Sequence, residues 1–201
     1  MNIKAVIFDF DGVIHDTFEL AYGIFKQLSP QSSKDDYRDY FDGNILERVG
    51  KELTETQREK FRILEAQQFE ELIIDSQIKE QIELLSNEYD LYIVSSNTFK
   101  NIGDYLERNR LTDKFKEVLA SESGRSKLDK FKVLFQKYNV DVNSCVFVTD
   151  TLGDIREAHR VFLKTIACSF GYHSRERVMQ GNPFAIASSF DEVRELIKTG
   201  F

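Results

Sequence analysis

The stretch AVIFDFDGVIHDT, residues 5–17, constrains this chain more than any other. Ala5, Val6, Ile7 and Phe8 form an unbroken apolar run, the pattern of a strand buried on both faces of a parallel sheet. The run ends in Asp9 and Asp11, with Gly12 directly behind. Two like-charged carboxylates at the end of a buried strand are costly unless a cation neutralises them. Either they are the solvated end of a strand, or they share a cation and do chemistry. Gly12 suits a sharp turn out of the strand.

Beyond that turn the apolar period changes. Phe18, Ala21, Tyr22, Phe25 and Leu28 fall on one helical face. Ser33 with Asp36, and Thr54 with Gln57, mark helix starts, and residues 55–74, free of proline and glycine, read as one long helix. After this block helices and strands alternate. The strands are predicted at 91–94, 117–121, 145–150, 165–170 and 184–188, with helices at 77–86, 98–109, 128–138 and 155–162. Ser189 with Glu192 opens a last helix that Gly200 ends. The alternation predicts an α/β fold, a doubly wound Rossmann-like parallel sheet core, with an all-helical cap inserted after its first strand. The expected division is a core of 1–14 and 83–201 and a cap of 15–82.

Composition narrows the partners. With a net charge of −7 and a pI of about 5.1, the surface has no broad attraction for nucleic acid or anionic lipid. An anionic ligand would need a local lysine, a helix N-terminus or a metal. Cys145 and Cys168 stand in apolar runs and make no disulfide framework, which fits a reducing cytoplasm. No signal-peptide pattern and no membrane-length apolar run is present.

In open α/β sheets ligands bind beyond the carboxyl ends of the strands. Asp9 and Asp11, Ser95, Ser96 and Asn97, and Asp150 and Asp154 all fall there, with Lys127 at the start of the helix after the third strand. Carboxylates gathered at one point do not all ionise without a metal, and oxygen-only ligands suit Mg²⁺. Ser95 offers a hydroxyl, the Ser96 and Asn97 amides open a helix, and Lys127 supplies a point charge of the kind phosphate sites use. One carboxylate can then attack phosphorus, while a second, two residues on, protonates the leaving oxygen and later activates water.

These motifs resemble the haloacid dehalogenase-like hydrolase superfamily, in its phosphoglycolate-phosphatase-like branch with a helical cap. The resemblance spans essentially the whole chain. DFDGV is similar to the first motif, which implies Asp9 as nucleophile and Asp11 as general acid and base. LYIV followed by SSN resembles the second, implying phosphate binding through Ser95, or Ser96 if the alignment shifts by one. Lys127 in RSKLDKFKVL matches the third, although Leu128 and Lys130 replace the usual prolines. FVTDTLGDIREA matches the fourth, implying Asp150 as a Mg²⁺ ligand beside Asp9 and the Asp11 carbonyl, with Asp154 in support; Thr149 stands where glycine is usual. The resemblance implies a phosphatase of small phosphorylated metabolites, acting as a monomer or homodimer.

The alternative within the fold is a sugar phosphomutase. Similar mutases carry a histidine in the first cap helix; the stretch TFELAYGIFKQL has none, and His15 lies too early. A phospho-receiver domain is disfavoured by the long insert, and a catalytically idle relative by the full set of reacting residues. His15 reads as structural, His159 as a surface residue, and residues 171–178 as a solvated loop. FDGN at 41–44 breaks the helical pattern, and in similar proteins such a cap turn faces the site. Gly43, Asn44 and Arg48 are therefore expected near the substrate.

Overall fold

In the computed structural model, which describes residues 3–200, the chain builds a six-stranded sheet in the order β3-β2-β1-β4-β5-β6, with every pairing parallel. β1 (Ala5–Phe8) lies at its centre, between β2 (Asp90–Val94) and β4 (Cys145–Thr149). β3 (Glu117–Leu119) closes one edge, and β5 (Lys164–Cys168) and β6 (Ala185–Ala187) the other. All four residues of β1 are buried because both faces are covered. Val6 and Phe8 join a cluster with Ile82, Leu85, Ile102 and Val193, while Ala5 and Ile7 join Phe131, Leu134, Phe147 and Ala158 on the opposite face.

Between β1 and β2 come α1 (Phe18–Leu28), α2 (Lys34–Asp39), α3 (Ile45–Glu52), α4 (Glu55–Phe69) and α5 (Ser76–Ser86). The helices after β2 are α6 (Phe99–Arg108), α7 (Lys127–Tyr138), α8 (Leu152–His159), α9 (Arg175–Met179) and α10 (Phe190–Thr199). Both expected capping boxes form, Ser33 with Asp36 and Thr54 with Gln57. Gly200 ends α10 with φ 70°, the left-handed turn that favours glycine.

The helical cap has a small core of its own, built on Phe18, Ala21, Phe25, Tyr37 and Leu53, which Tyr172 joins from beyond β5. Ile78, Ile82 and Leu85 of α5 instead pack on the sheet. Among the described residues no helix is long and apolar enough to cross a membrane.

Two expectations change. α4 ends at Phe69 rather than 74. Arg108 donates to the Phe69 carbonyl and Asn109 Oδ1 accepts the Ile74 amide at 3.0 Å, so the chain is drawn back to the sheet. Nothing local to residues 70–74 signals that stop, because the partners lie more than thirty residues away. Residues 171–178 are not a solvated loop either. Tyr172, His173 and Val178 are buried, and Ser174 caps the short α9.

Candidate active site

The strand order reverses between β1 and β4, so their carboxyl ends open a crevice. Asp9 follows β1 directly, its amide donating to Val148 O at 2.8 Å, and Asp150 follows β4. Ser126 accepts the Asp129 amide and starts α7, which makes Lys127 the first helical residue. Lys127 Nζ then lies 2.5 Å from Asp9 Oδ2 and 2.6 Å from Asp154 Oδ2. Thr149 Oγ1 also donates to Asp154 Oδ2 at 2.9 Å, so the residue that departs from the family glycine has found a use.

Asp150 is wedged between two glycines. A Cβ on Gly12, whose φ is +75°, would stand 1.9 Å from Asp150 Oδ2, and one on Gly171 would stand 2.4 Å from Asp150 Cβ. Oδ2 accepts the Tyr172 amide at 2.7 Å, whereas Oδ1 is buried with no hydrogen-bond partner. Asp11 accepts from Thr17 Oγ1 at 2.7 Å and from Asn97 Nδ2 at 3.2 Å, and Thr17 in turn meets the Tyr172 hydroxyl at 2.9 Å.

The two serines separate. Ser95 is fully buried. Its hydroxyl accepts the Asn97 amide and lies 3.5 Å from Asp11, while its carbonyl accepts from Lys130 Nζ at 2.5 Å. Ser96 lines the open crevice.

Charge is unbalanced here. Burial raises the Asp9 carboxyl well above its ordinary range, with Lys127 opposing; one ammonium shared with Asp154 does not offset it. Burial also raises Asp11, and pushes Asp150 up to about 7 against the Tyr172 amide. For Asp154, burial is outweighed by Lys127, and the group is held below its usual range. Burial opposes the Lys127 ammonium, but Asp154 and Asp9 outweigh it and keep it charged. Burial brings Lys130 down to about 8, with Lys127 adding to the effect.

No three acidic, histidine or cysteine side chains among the described residues enclose an ion by themselves. A Mg²⁺ site does not need that, since one or two carboxylates, a carbonyl and several waters suffice. The partnerless Asp150 Oδ1, next to the electrostatically costly Asp9, fits such an ion.

The cap covers the crevice. A cavity of about 40 Å³ touches Asp9, Lys127, Asp154, Thr151 and, from the cap, Gly43. A second, of about 170 Å³, extends under the cap between α1, α3 and α4. Both touch Asp11, Phe41, Ile45, Ser96 and Tyr172. Of the expected cap residues only Gly43 lines a cavity. Asn44 caps α3 and donates to Arg125 O and Glu157, and Arg48 flanks Gly43 and donates to Asp39 O. His15 is half-buried, with Nδ1 3.0 Å from the Tyr105 hydroxyl, and His159 is exposed.

Sequence reasoning missed Thr17, the Asn97 side chain, Tyr172 and Glu65. Thr17 and Asn97 lie inside motifs already singled out. Tyr172 was hidden in a polar stretch, and Glu65 lies mid-helix with no local signal.

Residues 6–168 match the family of haloacid dehalogenase-like hydrolases. The chain belongs to that family. A phosphoglycolate phosphatase of Synechococcus elongatus is 27% identical, over 90% of this chain and 91% of its own length. A haloacid dehalogenase-like family protein from Streptococcus pneumoniae superposes with a TM-score of 0.81 at 21% identity, over 96% of this chain and 97% of that one. A Thermotoga maritima structure, provisionally described as a β-phosphoglucomutase, has a TM-score of 0.72 at 16% identity, over 99% of this chain and all of that one.

Proposed function

We propose that the chain is a phosphatase of small phosphorylated metabolites that works through an aspartyl phosphate on Asp9. The observation that carries this reading is the contact of one lysine, Lys127, with both Asp9 and Asp154, with the cavity opening onto Asp9 and Asp11. An Asp9 oxygen attacks phosphorus, and the bond to the leaving oxygen breaks as Asp11 gives that oxygen its proton. Asp11, now a carboxylate, takes a proton from water, whose oxygen attacks phosphorus and frees Asp9. Lys127, the Ser96 amide and a hydroxyl from Ser95 or Ser96 hold the phosphoryl oxygens. Asp9, Asp150 and the Asp11 carbonyl would hold Mg²⁺ with Asp154 in support, and the ion supplies charge neutralisation at the phosphoryl group.

In this reading Gly43 meets the phosphoryl end, while Asn44 and Arg48 hold the turn that carries it. The cap runs from about residue 15 to the turn near 75, since α5 packs with the sheet. The buried free thiols Cys145 and Cys168 support a cytoplasmic location.

The phosphomutase alternative shares the fold, so it is separated by chemistry. α1 carries no histidine, and His15 is engaged by Tyr105 instead. A panel of phosphate esters with Mg²⁺ tests both. The phosphatase reading expects inorganic phosphate to accumulate in step with substrate loss, without a bisphosphate activator, and to stop on chelation or in Asp9→Asn. Isomerisation of a sugar phosphate with little phosphate released, primed by a bisphosphate, establishes the mutase instead.

A further inference from the structure

The two cavities divide the substrate. The smaller is lined by Asp9, Lys127 and Asp154 and takes the phosphoryl group on the reading above. Asp11 stands where the two meet, so the oxygen it protonates leaves toward the larger one. The larger cavity is therefore the room for the alcohol.

Its size and walls are specific. At about 170 Å³ it is slightly larger than the cavity of roughly 150 Å³ known to take benzene. A two-carbon alcohol would leave it mostly empty. Phe25, Phe41, Ile45, Val49 and Phe61 give it apolar walls. Two polar groups face it with spare capacity. Glu65 has one hydrogen bond, from Asn101 Nδ2 at 3.3 Å, and the Tyr37 hydroxyl has no partner among the described residues.

The same cavity is hostile to an anion. Burial, with Asp11 adding to it, pushes the Glu65 carboxyl up to about 8, so the cavity's own acid stays protonated near neutral pH. An incoming carboxylate meets the same desolvation. Two guanidiniums border the space. Arg58 is occupied by Gly50 O, Leu53 O and Glu55, and Arg62 lies largely in solvent, 3.2 Å from Glu59.

We infer that the alcohol half of the substrate is a neutral, ring-sized body with a hydroxyl that pairs with Glu65 and Tyr37, and that esters whose alcohol bears a carboxylate are selected against. The inference rests on the phosphatase reading and narrows it to one class of ester.

Four esters test it with Mg²⁺: benzyl phosphate, 3-hydroxybenzyl phosphate, 3-carboxybenzyl phosphate and 2-phosphoglycolate. kcat/KM for the hydroxybenzyl ester is expected to exceed that of either carboxylate ester by at least ~30-fold. Glu65→Leu should bring the hydroxybenzyl-to-benzyl ratio down by about tenfold, and Glu65→Gln, which keeps a hydrogen-bonding amide, should retain it. A merely structural role for Glu65 would lower both esters alike. Carboxylate esters turned over as well as the hydroxybenzyl ester overturn the inference, and loss of that turnover in Arg62→Gln would identify Arg62 as their partner. Calorimetric binding of the four esters to Asp9→Asn reads the cavity without turnover. If no ester, p-nitrophenyl phosphate included, releases phosphate, the phosphatase reading fails. The same binding order then still decides whether the cavity prefers the neutral ring.

Discussion

Gly153 offers the cleanest test of cap closure. It lies in the first turn of α8, directly beneath the cap turn that carries Phe41 and Gly43. A Cβ at this position would stand 2.5 Å from the Gly43 carbonyl oxygen and 2.8 Å from that of Phe41. Ordinary contact begins near 3.4 Å, and both obstacles are backbone, so in Gly153→Ala the turn has to withdraw by about 0.9 Å. No reacting group changes. A misplacement of about 1 Å costs roughly 100-fold where catalysis depends on positioning, so kcat/KM for a ring-sized ester should fall on that order. Stability should move the other way, since alanine is favoured over glycine in a helix by up to ~1 kcal/mol and an opened cap relieves the clash. The thermal midpoint should hold or rise by about 2–4 °C. Gly23→Ala is the control: it lies in α1 with nothing within 4 Å of its would-be Cβ, and should leave kcat/KM unchanged. Steady-state kinetics and thermal melts read both. A kcat/KM for Gly153→Ala within twofold of the parent would refute the argument, because turnover would then not need the turn to seat on α8.

Thr17→Val removes a hydrogen bond that favours the Asp11 carboxylate, so Asp11 should titrate higher still; the alkaline limb of kcat/KM should move up by on the order of one pH unit, read from the pH–rate profile. Lys127→Ala leaves Asp9 and Asp154 buried without their ammonium. In metal-free buffer at pH 7 it should lose ~3 kcal/mol of stability by denaturant titration, and less at pH 5, where the freed carboxyls protonate. Glu65 has a folded-state pKa raised from 4.5 to about 8, so its contribution to stability is present below pH 4.5 and is lost as pH rises toward 8. Glu65→Gln should therefore flatten that decline by up to ~4 kcal/mol over this window, and equal slopes in parent and variant would count against a protonated Glu65.

The sheet was legible because its central strands are compact apolar runs and most helix starts carry a side-chain cap, α1 and α8 excepted. Asp9, Asp11, Asp150 and Lys127 were legible for a related reason: their places follow from strand ends and a helix start, which local sequence encodes. Glu65 reaches the cavity only through the packing of α4 against α1, and a mid-helix glutamate looks the same whether it faces water or a pocket. Tyr172 failed differently. Its flanks, Gly171 and His173 through Arg177, have the composition of a surface loop. The polarity that suggests solvent is spent on the cap, where Arg177 pairs with Asp39 and Asp42 and His173 Nε2 meets Arg38 O.

Tyr172 also explains how one segment can sense the cap and the reacting groups together. Its amide holds Asp150, its hydroxyl meets Thr17, which holds Asp11, and its carbonyl accepts from Arg38 Nε of α2 at 3.1 Å. Its ring packs edge-on against Phe18 and Phe41 of the cap. Other contacts that hold the cap include polar ones at the rim, Arg156 to Asp42 O, Asn44 to Glu157 and the partly exposed Arg177 pair, and an apolar one where Phe69 at the end of α4 packs on Phe10. Rim ion pairs of this kind contribute about 1 kcal/mol or less each, because water replaces them readily. Phe41 and Ile45 of the cap are half-buried and line the larger cavity. If the alcohol half is the ring-sized body inferred above, filling the cavity would add apolar contact with Phe41 and Ile45 and favour closure. On that account the choice of substrate and the closing of the cap are one event, and both act through the same residue that holds Asp150 and, through Thr17, Asp11.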